Sequence, residues 1–179
     1  MTTFRRLYDR LLEIIAVFLI VVVTVIVTMG FVYRWLGESL VWYDEVASIA
    51  LCWLTYYAGA LAALRGAHIG FPGFVNSLPA KWRVTAAVFS SAVTIFFFAV
   101  LAVMGIEVVQ VLGNDTLVSI PEVSQQVTQS VIPIASIMFI VAELLRLPEL
   151  IAEARKGPLI DHELAEVLAH ARPGKDIKP

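Results

Sequence analysis

The chain has 179 residues, 59% of them hydrophobic and 16% charged, with a formal net charge of −2. Soluble domains carry about 25% charged residues, so this composition argues against an ordinary soluble fold, and the charge balance gives no case for nucleic-acid binding. The lone cysteine, Cys52, excludes an intrachain disulfide and a thiol-rich metal site; inside an apolar run it reads as a small hydrophobe.

The bilayer core is about 30 Å thick, so a spanning helix needs about 20 apolar residues. Four stretches meet this, predicting spans over 12–33, 45–64, 84–111 and 126–147. The first follows Arg5, Arg6 and Arg10. Its apolar run is longer than the h-region of a signal peptide and no small-residue cleavage site follows, so it reads as an uncleaved first helix. After it, residues 33–43 carry Tyr33, Trp35, Trp42 and Tyr43, which suit an interfacial aromatic belt and a short helix lying on the membrane.

The second span opens with Asp44 and Glu45. These adjacent carboxylates diverge by about 100° on a helix, which favours an N-terminal cap and partner contact over a proton relay. From Glu45, the positions Ser48, Cys52, Tyr56, Gly59 and Ala63 fall on one face. Small residues at such spacing let membrane helices approach closely, and the face reads as an internal packing seam or as a surface for another membrane subunit. Arg65 and His68 close the second span. The middle loop, 68–82, mixes Gly and Pro with apolar residues and predicts a second interfacial helix or a partner contact.

The third span carries Glu107 near its end. In the fourth, Gln129, Pro133, Ser136 and Glu143 share a face, Pro133 predicts a kink, and Glu143 lies within i,i+3 reach of Arg146. Beyond Gly157 and Pro158, the positions Ile160, Leu164, Val167, Leu168 and Ala171 predict a short amphipathic helix.

Of the thirteen lysines and arginines, only Arg34 falls between the first and second spans or between the third and fourth. The positive-inside rule then places both termini and the middle loop in the cytoplasm. The sequence thus predicts an all-α integral membrane protein. A four-helix transmembrane domain over 1–156, with short interfacial helices, precedes a cytoplasmic tail over 157–179. The outer side sets Arg34 against Glu38, Asp44, Glu45, Glu107, Asp115 and Glu122, an acidic face that suits a complementary patch on a soluble partner. It is equally a by-product of the positive-inside bias.

There is no phosphate-binding glycine loop, no CxxC or HExxH, and no catalytic triad order. His162 and His170 lie in the tail and no histidine lies within a span. The residues therefore suggest no catalytic group, no metal site and no cofactor. No series of carboxylates crosses the bilayer centre, which argues against an ion path through this chain alone.

The stretch Leu40, Val41, Trp42, Tyr43, Asp44, Glu45, Val46, Ala47, followed by Trp53, Gly59, Ala60, Arg65, Gly66, Ala67, His68 and Ile69, resembles the small DctQ-type membrane subunit of tripartite ATP-independent periplasmic (TRAP) transporters. The likeness covers roughly residues 5–155. It implies a bacterial inner-membrane protein without catalytic chemistry. Its partners would be a large multi-span subunit that carries the substrate and ion sites and a periplasmic substrate-binding protein, in organic-acid uptake driven by an ion gradient. By this resemblance Trp42, Asp44, Glu45, Trp53, Gly59, Arg65 and His68 are motif positions, with Ser48 and Ala63 on the packing face. Glu38, Asp115 and Glu122 are candidates for docking the binding protein. Two other readings stay open: a membrane anchor of a multi-subunit respiratory enzyme, and a self-sufficient homo-oligomeric transporter.

Overall fold

The computed structural model describes residues 3–66 and 79–156. The expected middle-loop helix, His68 and the tail helix lie outside them. The described residues form α1 (Thr3–Trp35), α2 (Tyr43–Arg65), α3 (Ala80–Val111), α4 (Gln125–Gln129) and α5 (Val131–Lys156). Four helical segments are long and apolar enough to cross a membrane: α1, α2, α3, and α4 with α5 as one interrupted span. A helix rises 1.5 Å per residue, so the 33 residues of α1 reach about 50 Å, well beyond a hydrocarbon core of about 30 Å. No strand forms among the described residues; one antiparallel bridge pairs Thr116 with Ser124.

The expected interfacial helix over 33–43 is absent. α1 itself runs on to Trp35 and ends in a Schellman turn. The Glu38 amide donates to the Tyr33 carbonyl at 3.0 Å and the Gly37 amide to that of Arg34 at 3.2 Å. Gly37 takes the left-handed conformation this turn requires, with φ of 89°. Residues 38–42 then lead into α2 without forming a helix.

The helices pack in the order α1, α2, α5, α3, so α1 and α3 stand at the two ends of a row. The shared core lies toward the end where α1 begins and α2 finishes. Leu12 of α1, Ala60, Ala63 and Leu64 of α2, and Phe139 and Ala142 of α5 are buried together. Tyr8, Tyr57 and Phe98 pack against them, and the rings of Phe98 and Phe139 stack with centroids 3.7 Å apart. Lipid offers apolar surface as readily as a protein core does, so association relies on close approach, and alanines supply it here.

The face of α2 turned inward differs from the expected one. Ala50, Trp53, Tyr57, Ala60 and Leu64 are buried or half-buried at spacings of three and four, whereas Ser48 and Cys52 are exposed. The internal seam is therefore turned by roughly a quarter of the helix circumference from the row of Glu45, Ser48, Cys52 and Tyr56. Of the expected face, Ala63 is buried, Glu45, Tyr56 and Gly59 are half-buried, and Ser48 and Cys52 are exposed.

The fourth span is broken rather than merely kinked. Pro133 has no N–H, so the carbonyl four residues earlier, on Gln129, loses its helical partner, and the helix is interrupted at Ser130. On α3, a narrow stripe of Ala87, Ser91, Ala102 and Gly105 is buried. A Cβ on Gly105 would stand 3.0 Å from Pro133 Cδ and 3.0 Å from Ile132 Cγ2, so glycine lets α3 close on the break. The opposite face of α3, including Phe89, Phe96, Val100 and Val103, is exposed.

Candidate functional site

Three of the motif side chains tie separate parts of the chain together. Arg65, in the last turn of α2, reaches back to α1. Its Nε donates to Asp9 Oδ1 at 2.8 Å and its Nη2 to Asp9 Oδ2 at 2.9 Å. The same Nη2 lies 3.0 Å from Glu13 Oε2. Asp9 and Glu13 are four apart and present both carboxylates to one guanidinium. Next to this cluster Arg5, itself buried, pairs with Glu149 of α5 and donates to the Leu64 carbonyl at 3.2 Å. Tyr8 donates to the Met138 carbonyl at 2.6 Å. The first turns of α1 are thus bound to both α2 and α5.

At the opposite end, α2 begins at Trp42 with no side-chain cap. The Glu45 carboxylate instead spans the gap to the loop between α3 and α4. It accepts hydrogen bonds from the amides of Val118 at 3.2 Å and Ser119 at 2.9 Å, and from the Ser119 hydroxyl. This loop is itself ordered by backbone bonds from Leu117 to the Val123 carbonyl at 3.0 Å and from Gln125 to that of Asp115 at 2.9 Å. Gln126 Nε2 donates to the Val109 carbonyl at 3.1 Å, serving the last turn of α3.

Trp53 sits midway along α2 and meets the interruption in the fourth span. Its indole N–H donates to the Thr128 carbonyl at 2.9 Å. Thr128, one residue before the carbonyl that Pro133 leaves without a helical partner, is thus served at the interruption by a donor from a neighbouring helix, the way membrane helices accommodate freed backbone groups.

The remaining motif positions do less. Asp44 is exposed, and its carbonyl accepts from Ser48 Oγ at 2.8 Å. Gly59 leaves ordinary contact, since a Cβ there would lie 3.9 Å from Phe139 Cε2. Glu38, Asp115 and Glu122 are all exposed. The expected Glu143–Arg146 pair does not form. Glu143 is buried and accepts from Ser91 Oγ of α3 at 2.6 Å, while Arg146 lies 3.9 Å from Glu153 and against Gly66. Ser136, on the same face as Glu143, is buried and bonds back to the Ile132 carbonyl at 2.6 Å.

The sequence reading missed the partners rather than the motif residues. Asp9, Glu13, Ser91 and Ser119 drew no attention, although two carboxylates four apart inside a basic segment were a readable signal. No group of three or more His, Cys, Asp or Glu side chains able to hold a metal ion forms among the described residues. The geometry fits mechanical work: carboxylates and donors are spent on joining helices and loops.

Comparison with protein families gives a match over residues 23–153 to the model described as tripartite ATP-independent periplasmic transporters, DctQ component. No curated protein matches the chain.

Proposed function

The chain belongs to the DctQ family of tripartite ATP-independent periplasmic transporter components, and from that premise we propose that it is the non-catalytic subunit that braces the large transport subunit and helps dock the periplasmic binding protein. The uptake it serves is of organic acids and is driven by a sodium gradient. The chain lies in the bacterial inner membrane with both termini cytoplasmic, since twelve of its thirteen basic residues fall on that side.

One observation carries the bracing role. The motif side chains Glu45, Trp53 and Arg65 are engaged in bonds to other parts of the same chain, so they hold its shape rather than present reactive groups. Among the described residues, apolar surface is left exposed on the outward face of α3 and on α2 around Leu51 and Cys52. Both suit helices of a larger membrane subunit or lipid.

Purification of the tagged chain from its native membrane in mild detergent tests this role. A larger multi-span polypeptide should co-purify. In vesicles, uptake under a sodium gradient should require that subunit and the binding protein as well. Recovery as a homo-oligomer with uptake by this chain alone would overturn the proposal, as would a haem spectrum in the purified complex.

A further inference from the structure

A cavity of about 650 Å³ opens where α1 begins and α2 ends, lined by Arg5, Arg6, Arg10 and Arg65 together with Asp9 and Glu13. Four guanidinium groups against two carboxylates leave the lining with a formal surplus of positive charge. The surplus has a definite place. Asp9 and Glu13 are committed to Arg65, and Arg5 is committed to Glu149 and the Leu64 carbonyl. Among the described residues Arg6 and Arg10 have no carboxylate partner, and both are exposed.

Arg6 and Arg10 are four apart, so they share one strip of α1. To one side of that strip lies the Asp9–Glu13 row that holds Arg65. To the other side Leu7, Leu11, Ile14 and Phe18 recur at spacings of four and three, all exposed. This apolar row starts beside the cavity and continues along α1 into the span. The surface therefore joins an unneutralised cationic recess to an apolar track that leads into hydrocarbon. Its complement is a molecule with an anionic head and an acyl chain.

We propose that this recess binds the headgroup of an anionic phospholipid, of the phosphatidylglycerol or cardiolipin class, from the leaflet at this end of the bundle. Its phosphate lies on Arg6 and Arg10, and an acyl chain follows Leu7, Leu11 and Ile14. Basic recesses at the membrane edge of helical proteins have this ligand chemistry. A choline headgroup fits worse, because its own ammonium cancels the phosphate charge and adds a cation beside two arginines. Free phosphate satisfies the arginines but leaves the apolar track uncovered.

The test uses the full chain in neutral detergent, with native mass spectrometry to read lipid retention and thermal unfolding to read stabilisation. The probes are dioleoylphosphatidylglycerol, dioleoylphosphatidylcholine and inorganic phosphate. Wild type and the far-end control Arg34→Gln should retain phosphatidylglycerol and gain thermal stability from it. Arg6→Gln/Arg10→Gln should weaken retention about 30-fold, each arginine near an anionic surface contributing about a factor of five. Retention by wild type should also fall steeply as salt rises. Equal retention by wild type and the double variant, salt-insensitive retention, or equal stabilisation by inorganic phosphate would overturn the assignment. The salt series on wild type decides the matter even if the double variant misfolds.

Discussion

Arg65 grips Asp9 with two hydrogen bonds, of 2.8 and 2.9 Å, across a separation of 56 residues in the chain. The bond joins the last turn of α2 to the second turn of α1, and Glu13 shares the same guanidinium. Both partners are partly exposed, so solvent screening limits the contribution of the pair to about 0.2–1 kcal/mol. Asp9→Asn and Arg65→Gln should each lower the unfolding midpoint slightly in detergent. In a double-mutant cycle the two should couple by up to about 1 kcal/mol. Arg65→Lys should recover only part of the effect, because an ammonium cannot reproduce the planar two-point contact. Full additivity of the two losses would show that the pair contributes nothing.

Glu45 works over a longer range, fixing the Val118–Ser119 turn from α2. Glu45→Gln keeps an acceptor but removes the charge that strengthens three hydrogen bonds. The amides of Val118 and Ser119 should then exchange with deuterium several-fold faster, while those in the middle of α2 and α5 stay protected. Uniform acceleration across the protein would mean that Glu45 matters to the global fold instead.

Trp53→Phe keeps a ring in place and removes the indole donor, leaving the Thr128 carbonyl without this partner at the helix break. A net hydrogen bond is worth about 0.5–1.5 kcal/mol, and the loss should appear as faster amide exchange through α4. Unaltered exchange there would indicate that water replaces the indole.

Gly105 sets the distance between α3 and α5. A Cβ there meets Pro133 N at 3.2 Å as well as Pro133 Cδ and Ile132 Cγ2, and neither backbone nor ring can swing aside. Gly105→Ala should cost about 1–3 kcal/mol by overpacking, and Gly105→Leu should cost more. Both are read as a lower midpoint of thermal unfolding in detergent.

The spans could be read from the sequence because a membrane crossing is a matter of length and apolarity alone. The inward faces could not. In water, polarity marks the side of a helix that faces out; in lipid, both sides are apolar and the signal fades. Ser48 and Cys52 looked like a seam by their polarity and size, yet the true seam of α2 uses Trp53 and Tyr57 with the alanines at 50 and 60. The motif residues stood out, but Glu45 lies 74 residues from Ser119 and Arg65 lies 56 from Asp9. No local pattern encodes contacts of that span. The Trp35–Trp42 segment misled for a different reason: aromatic composition marks an interface without fixing backbone geometry, which Gly37 decides here.

The acidic end of the bundle separates two kinds of carboxylate, and the docking proposal depends on the difference. Glu45 is held by Ser119 and Val118, so its removal disturbs a loop. Glu38, Asp115 and Glu122 are exposed, so neutralising them changes the field and leaves the fold intact. The triple variant Glu38→Gln/Asp115→Asn/Glu122→Gln should therefore keep the wild-type unfolding midpoint. If these charges steer a binding protein, association should slow about 3- to 10-fold at low ionic strength. The difference should shrink below about twofold near 0.5 M salt, where the screening length is only a few ångströms. Uptake measured in proteoliposomes at limiting binding protein should follow the same salt dependence. Unchanged uptake and unchanged association at low salt would sink the steering role and leave the acidity as a consequence of orientation alone. A loss that persists at high salt would point to direct contact by one of the three side chains, which the single variants would then identify.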